Sequence, residues 1–133
     1  MRYEVRYFQD DDAAAFGSTI TAQENMDAVT LYDTHKGMPV ACGGLVAAWP
    51  GMGYAWFLTC ADPLAHKTAI ARFALAQLRP RLQRFRRVEA LVQEDAVVVR
   101  RFAEWLGFTV VARKPQFGAH GETFLELAWV REE

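Results

Sequence analysis

The sequence predicts an α/β domain of the α+β kind, with a mixed central sheet of about seven strands flanked by helices on both faces. Three observations predict it. Apolar and β-branched segments of strand length recur along the chain between turn signals. Two longer stretches, around residues 66–87 and 95–106, place apolar residues at helical spacing instead. The chain has 133 residues, 52% hydrophobic and 23% charged, which is one globular domain long enough to bury a core.

"YEVRYF" alternates and is rich in aromatic and β-branched residues, so a first strand is expected over residues 2–8. Asp10 to Asp12 before "AAAF" have the form of a helix N-cap with acids in the first turn. A second short helix is expected over residues 20–26. "AVTLYDTHKGMPVACGGLVAAW" reads as a hairpin turning at Lys36–Gly37. Pro50 to Gly53 make the next turn, and "YAWFLTCA" the next strand. That strand is apolar at almost every position, which predicts cover on both faces.

Ile70, Phe73, Ala74, Leu78, Leu82 and Phe85 form one stripe of a long helix, and Pro80 inside it predicts a kink or a break. "RVEALVQ" is a strand and "DAVVVRRFAEWL" a second amphipathic helix, with Asp95 as N-cap and Gly107 as its left-handed end. "FTVVAR" and "ETFLELAWV" close the chain around the turn "PQFGAHG".

Charge is unevenly spread on a chain of net charge −1. The first third carries Glu4, Asp10, Asp11, Asp12, Glu24, Asp27 and Asp33 against Arg2 and Arg6. Residues 66–87 carry Lys67, Arg72, Arg79, Arg81, Arg84, Arg86 and Arg87 and no acid. A solvated helix face whose arginine stems cover apolar surface accounts for such a run. A docking surface for an acidic protein partner or nucleic acid, with Lys67, Arg72, Arg79, Arg84 and Arg87 as contacts, is the alternative. The N-terminus has no apolar core of a secretory signal, and no run approaches the roughly 20 residues of a membrane span. Cys42 and Cys60 make no disulfide framework. Host cytoplasm, or a particle assembled there, is the expected setting, without a membrane partner.

The order of elements, and "FAEWLGFTVV" above all, resembles the GNAT (Gcn5-related N-acetyltransferase) superfamily. There the penultimate helix reads Asn-x-x-Ala-x-x-hydrophobic-Tyr-Glu-Lys-x-Gly-Phe before a strand, and Phe102, Glu104, Gly107 and Phe108 keep that scaffold. The resemblance implies a mostly antiparallel sheet and, for an active member, transfer of an acetyl group from acetyl-CoA to an amine. It also implies a phosphate loop, Gln/Arg-x-x-Gly-x-Gly/Ala, whose amides cradle the pyrophosphate. At that place stands Ala61-Asp62-Pro63-Leu64-Ala65-His66-Lys67. Pro63 donates no N–H, and Asp62 sets a like charge near the anion. If CoA binds, His66, Lys67 and Thr68 are its candidate contacts. The family tyrosine that protonates the leaving thiolate aligns with Ala103 and the family asparagine near Ala96, neither of which has a group to donate.

A second resemblance runs over roughly residues 30–130. Gly43, Gly44, Trp56, Phe57 and Thr59 are similar to a family of small GNAT-like internal virion proteins of short-tailed bacteriophages. It implies a non-catalytic structural protein with no cofactor, touching other virion proteins or further copies of itself.

Other groups invite chemistry. Cys60, Asp62 and His66 fall close together, as a nucleophile and base would. The plainer assignment is a core thiol, a turn or cap acceptor, and a first-turn surface histidine; as metal ligands they lack a fourth partner. His35 and His120 sit in expected turns. Trp49, Trp56, Trp105 and Trp129 are expected in the core or at its edges, and one exposed among them would anchor a partner. Glu94, Asp95 and Asp62 are the candidate catalytic bases if the protein is an enzyme, with helix capping as the competing role.

Overall fold

The computed structural model describes residues 2–132. In chain order it contains β1 (Tyr3–Tyr7), α1 (Asp10–Ala14), β2 (Met26–Asp33), β3 (Met38–Trp49) and β4 (Met52–Thr59). A 3-10 turn (Pro63–His66), α2 (Lys67–Phe73), a π-helical segment (Ala74–Leu78) and α3 (Arg79–Leu82) follow. β5 (Arg87–Gln93), α4 (Val97–Trp105), β6 (Thr109–Lys114) and β7 (Phe124–Val130) complete it. One seven-stranded sheet has the order β1-β2-β3-β4-β5-β7-β6. Each neighbouring pair is antiparallel except β4 and β5. A parallel pair needs a long crossover, and the α2–α3 helix supplies it.

Strand alternation decides the layers. Val29, Leu31, Val40 and Ala41 meet Ile70, Phe73, Ala74 and Leu78 on one face. Farther along that face, Val88, Val92, Leu125, Leu127 and Trp129 pack with Leu82 and Phe108, next to Ala103 and Leu106. Leu127 and Val88 have no solvent contact; each such burial contributes on the order of 2 kcal/mol. The opposite face carries Ala28 and Cys42 under Phe8 and Ala13. α1 is pinned there by Asp12, whose Oδ2 accepts the buried Thr30 hydroxyl at 2.8 Å and the Gln9 N–H at 2.8 Å. The N-cap residue is therefore Gln9, with the three acids in the first turn.

No helix forms over residues 20–26. Tertiary contacts hold that segment as a loop with a turn at residues 23–26: Ala22 N–H donates to Asp10, Asn25 Nδ2 donates to the Ala47 carbonyl, and Ile20 packs beside Ala13 and Phe8. Pro80 breaks the helical ladder as expected, and the preceding turn widens into the π segment before α3 restarts with the proline in its first turn. The helix stops at Leu82, so Arg86 lies beyond it and Arg87 opens β5.

β4 already begins at Met52, inside the turn expected over Pro50 to Gly53, and the cover expected on both faces from Tyr54 onward is only partial. Met52 and Gly53 are buried, Tyr54 is exposed, and Ala55 to Thr59 are half-buried. β5 pairs with β4 at three positions only, Met52↔Arg87, Gly53↔Val88 and Tyr54↔Glu89, and then leaves it. At the far end of α4, Gly107 has φ +109 and the Phe108 N–H donates to the Ala103 carbonyl, a Schellman-type ending.

Candidate functional site

Beyond Tyr54 and Glu89 the two central strands splay. β4 continues in register with β3 to Ala41↔Thr59, and β5 continues with β7 to Gln93↔Phe124. The result is a slot through the middle of the sheet. On the helix-covered side it opens into an apolar cavity of about 90 Å³ walled by Phe57, Leu78, Ala90, Phe102, Ala103 and Leu106. The ring of Phe57 lies 4.7 Å from that of Phe102. On the opposite face it opens into a groove of about 550 Å³ lined by Tyr54, Trp56, Glu89, Leu91, Lys114 and Glu126. Glu89 is paired with Arg87 at 2.8 Å and Glu126 with Lys114 at 3.3 Å.

The turn after β4 closes the splayed end. Asp62 precedes the 3-10 turn, exposed and without a side-chain capping bond, so it is not the cap acceptor expected of it. His66 is not a surface residue either: it is buried, and its Nδ1 lies 2.7 Å from the Tyr3 hydroxyl. Its ring meets Tyr3 edge-on, which ties the start of α2 to the edge strand β1. Lys67 and Thr68 are exposed in the first turn of α2. Cys60 is half-buried against the first core. Among the described residues no group of histidine, cysteine and carboxylate side chains is arranged to hold a metal ion.

The two acids after β5 have different surroundings. Glu94 accepts two hydrogen bonds from Arg113, at 2.6 and 3.2 Å. That guanidinium holds the Glu94 carboxyl below the usual carboxylate range, which makes it a poor proton acceptor near neutral pH. Asp95 is exposed, and Ala96 stands at the N-cap of α4, with no side-chain cap. The N-cap expected of Asp95 is absent because the backbone turns one residue later. Ala103 faces the apolar cavity, as does Phe102.

The basic run is partly consumed inside the molecule. Arg81 and Arg84 both reach Asp27 of β2, at 3.1 and 2.6 Å, and Arg87 binds Glu89. Arg86 lies against Gly51 and donates to the Pro50 carbonyl. Lys67, Arg72 and Arg79 are exposed and have no carboxylate at ion-pair distance among the described residues. Of the tryptophans, Trp129 is core, Trp56 lines the slot, and Trp49 and Trp105 are exposed. No helix of the described residues is long and apolar enough to cross a membrane.

No single segment announced the groove. Tyr54, Glu89, Lys114 and Glu126 come from four strands and meet only in the folded sheet. Of its lining residues the sequence singles out Trp56 and Phe57, through the bacteriophage resemblance and, for Trp56, as one of four tryptophans.

No protein-family model matches this sequence, and no curated protein matches it either. Solved structures do. The ribosomal-protein-S18-alanine N-acetyltransferase of Escherichia coli superposes with a TM-score of 0.73 at 13% identity, covering 98% of this chain and 95% of that one. Ard1 from Thermoplasma volcanium gives 0.72 at 14% identity, with 100% of both chains covered. A GCN5-related N-acetyltransferase from Kribbella flavida gives 0.68 at 17% identity over 98% of each. These likenesses establish the fold: a seven-stranded mixed sheet with helices on both faces, of the GNAT type. The turn at Asp62–Lys67 does not fit the pyrophosphate of acetyl-CoA. It offers an exposed carboxylate, a proline without N–H and no glycine for close backbone approach.

Proposed function

We propose that the protein is a non-catalytic component of a phage particle that uses a GNAT-type fold for protein–protein contacts and binds no cofactor. The observation that carries this reading is the composition of the splayed end of β4 and β5. Ala103 and Phe102 line the cavity where the fold's resemblance calls for a proton donor. Asp62 and Pro63 occupy the turn that the resemblance assigns to the phosphate, and Arg113 engages Glu94, one of the candidate bases. The similarity of Gly43, Gly44, Trp56, Phe57 and Thr59 to the internal virion proteins supplies the particle. The exposed cations Lys67, Arg72 and Arg79 supply a surface for an acidic partner protein or nucleic acid.

The splay itself favours a second reading, an acyl-CoA-dependent N-acetyltransferase acting on an amine, since the structural neighbours include N-acetyltransferases. Calorimetric titration with acetyl-CoA separates the two. Binding weaker than about 1 mM, a free energy poorer than roughly −4 kcal/mol, is expected; low-micromolar affinity overturns the non-catalytic reading. Co-sedimentation with purified particles tests the rest. Reversal of Lys67, Arg72 and Arg79 to Glu should weaken association at low salt and less so at high salt, where exposed charges are screened. Equal association of the wild type and the triple variant removes the basic surface, and absence from every particle removes the virion role.

A further inference from the structure

We propose that the slot between β4 and β5 takes an extended, basic-flanked peptide segment of a partner protein as an added strand. The inference rests on the non-catalytic reading, since acetyl-CoA in the same slot would exclude the peptide. Its first support is backbone chemistry. After the three shared pairs, β4 is bonded only to β3 and β5 only to β7. Two strand edges therefore face each other within the sheet, each with donors and acceptors turned toward the gap. Unmade backbone hydrogen bonds away from bulk water are costly, and an extended chain satisfies both rows at once. Strand addition gives affinity through the main chain and specificity through alternate side chains.

The walls of the slot match that alternation. Toward the helices stand the small side chains of Ala55, Ala90 and Ala103, with the apolar cavity of about 90 Å³ behind them, room for an aliphatic side chain. Toward the open face lies the groove of about 550 Å³ between Glu89 and Lys114, where polar side chains remain wet. Trp56 lines both openings, and its indole N–H is buried without an acceptor. At the splayed end Asp62 and Asp95 are exposed, and neither has a cationic partner among the described residues. They favour basic residues flanking the inserted segment and disfavour a polyphosphate.

The test is amide hydrogen exchange on the full chain with the probe peptide Ac-Lys-Val-Thr-Val-Lys-NH2. Saturating peptide should slow exchange of slot-facing amides in β4 and β5 by about tenfold or more, since an added strand blocks local opening. Ac-Lys-Val-Pro-Val-Lys-NH2, which lacks the central donor, should give no protection. Ala90→Leu, which fills the inner wall, should abolish protection by the first peptide while the remaining strands keep theirs. No slowing in the wild-type chain, or equal slowing by the proline peptide, overturns the inference. Acetyl-CoA is the parallel arm. Protection by acetyl-CoA alone overturns both the inference and the non-catalytic reading; protection by neither ligand overturns the inference and leaves that reading standing.

Discussion

The two ends of β4 are built on opposite principles. At its start the strand is locked: Gly51 has φ +86, its carbonyl accepts the N–H groups of Arg86 and Arg87 at 2.8 and 3.1 Å, and the Phe85 ring lies against Gly53. At its finish the strand has left β5, and the turn that follows contains Asp62 and Pro63 but no glycine. Glycine is used where two pieces of chain must come close and is missing where a backbone would have to approach a phosphate. Similar close contacts recur at Gly43, which lies under Phe57, and at Gly44, which abuts Ala28. The difference teaches that glycine serves close packing at one end of the strand, while at the other end the turn is built from an exposed carboxylate and a proline.

The largest expected effect lies at the locked end. A Cβ on Gly53 would come within 2.8 Å of the Phe85 ring, so Gly53→Val must displace that ring and part β4 from β5. A loss of about 3 kcal/mol, the upper range for overpacking, is expected in urea unfolding. Asp62→Ala at the other end is the matched control, and its midpoint should stay within about 0.5 kcal/mol of the wild type. A large loss at Asp62 would mean that the open end is as tightly built as the closed one.

A smaller effect is expected at Gly107, which ends α4 beside the slot. Its φ of +109 resists a β-branched side chain, and a Cβ there would meet Trp129 at 3.0 Å. Gly107→Val should cost about 1 kcal/mol or more. An unchanged melting temperature would place the Schellman-type ending elsewhere.

The smallest effect concerns acidity at the open end. Arg113 holds the Glu94 carboxyl below its ordinary range in the folded chain. A folded-state pKa below the unfolded value stabilises above the unfolded pKa, and that contribution is lost as pH falls through the folded one. Arg113→Ala should therefore move the Glu94 titration, followed by carboxyl NMR, up toward the usual glutamate value and remove this acid-side dependence. An unmoved titration would free Glu94 from the guanidinium and reopen it as a base. Asp33, at the hairpin turn, makes the contrast. Burial pushes its pKa up, but the Arg2 guanidinium and the amides of Lys36 and His35 outweigh that, and the net shift is downward.

Sequence by itself determined the strands, the two amphipathic helices, the Pro80 break and the Gly107 ending. Each is decided by side chains within a few residues of one another: alternation, stripe, missing N–H, permitted positive φ. The GNAT resemblance adds an expectation, that Ala103, Asp62 and Pro63 stand where the family has its chemical groups. Only the tertiary structure decided that residues 20–26 form no helix, because the competing contacts come from Asp10 and Ala47. Only it buried His66, whose partner Tyr3 is far away in sequence, and drew Arg84 and Arg87 into ion pairs with Asp27 and Glu89. The slot belongs to the same class. β4 and β5 are both continuous strands in the sequence, and neither encodes where they part; β4 stays paired with β3 and β5 with β7 beyond the last shared pair. A local pattern specifies what a segment becomes, whereas a gap between two segments exists only once both are held by third parties.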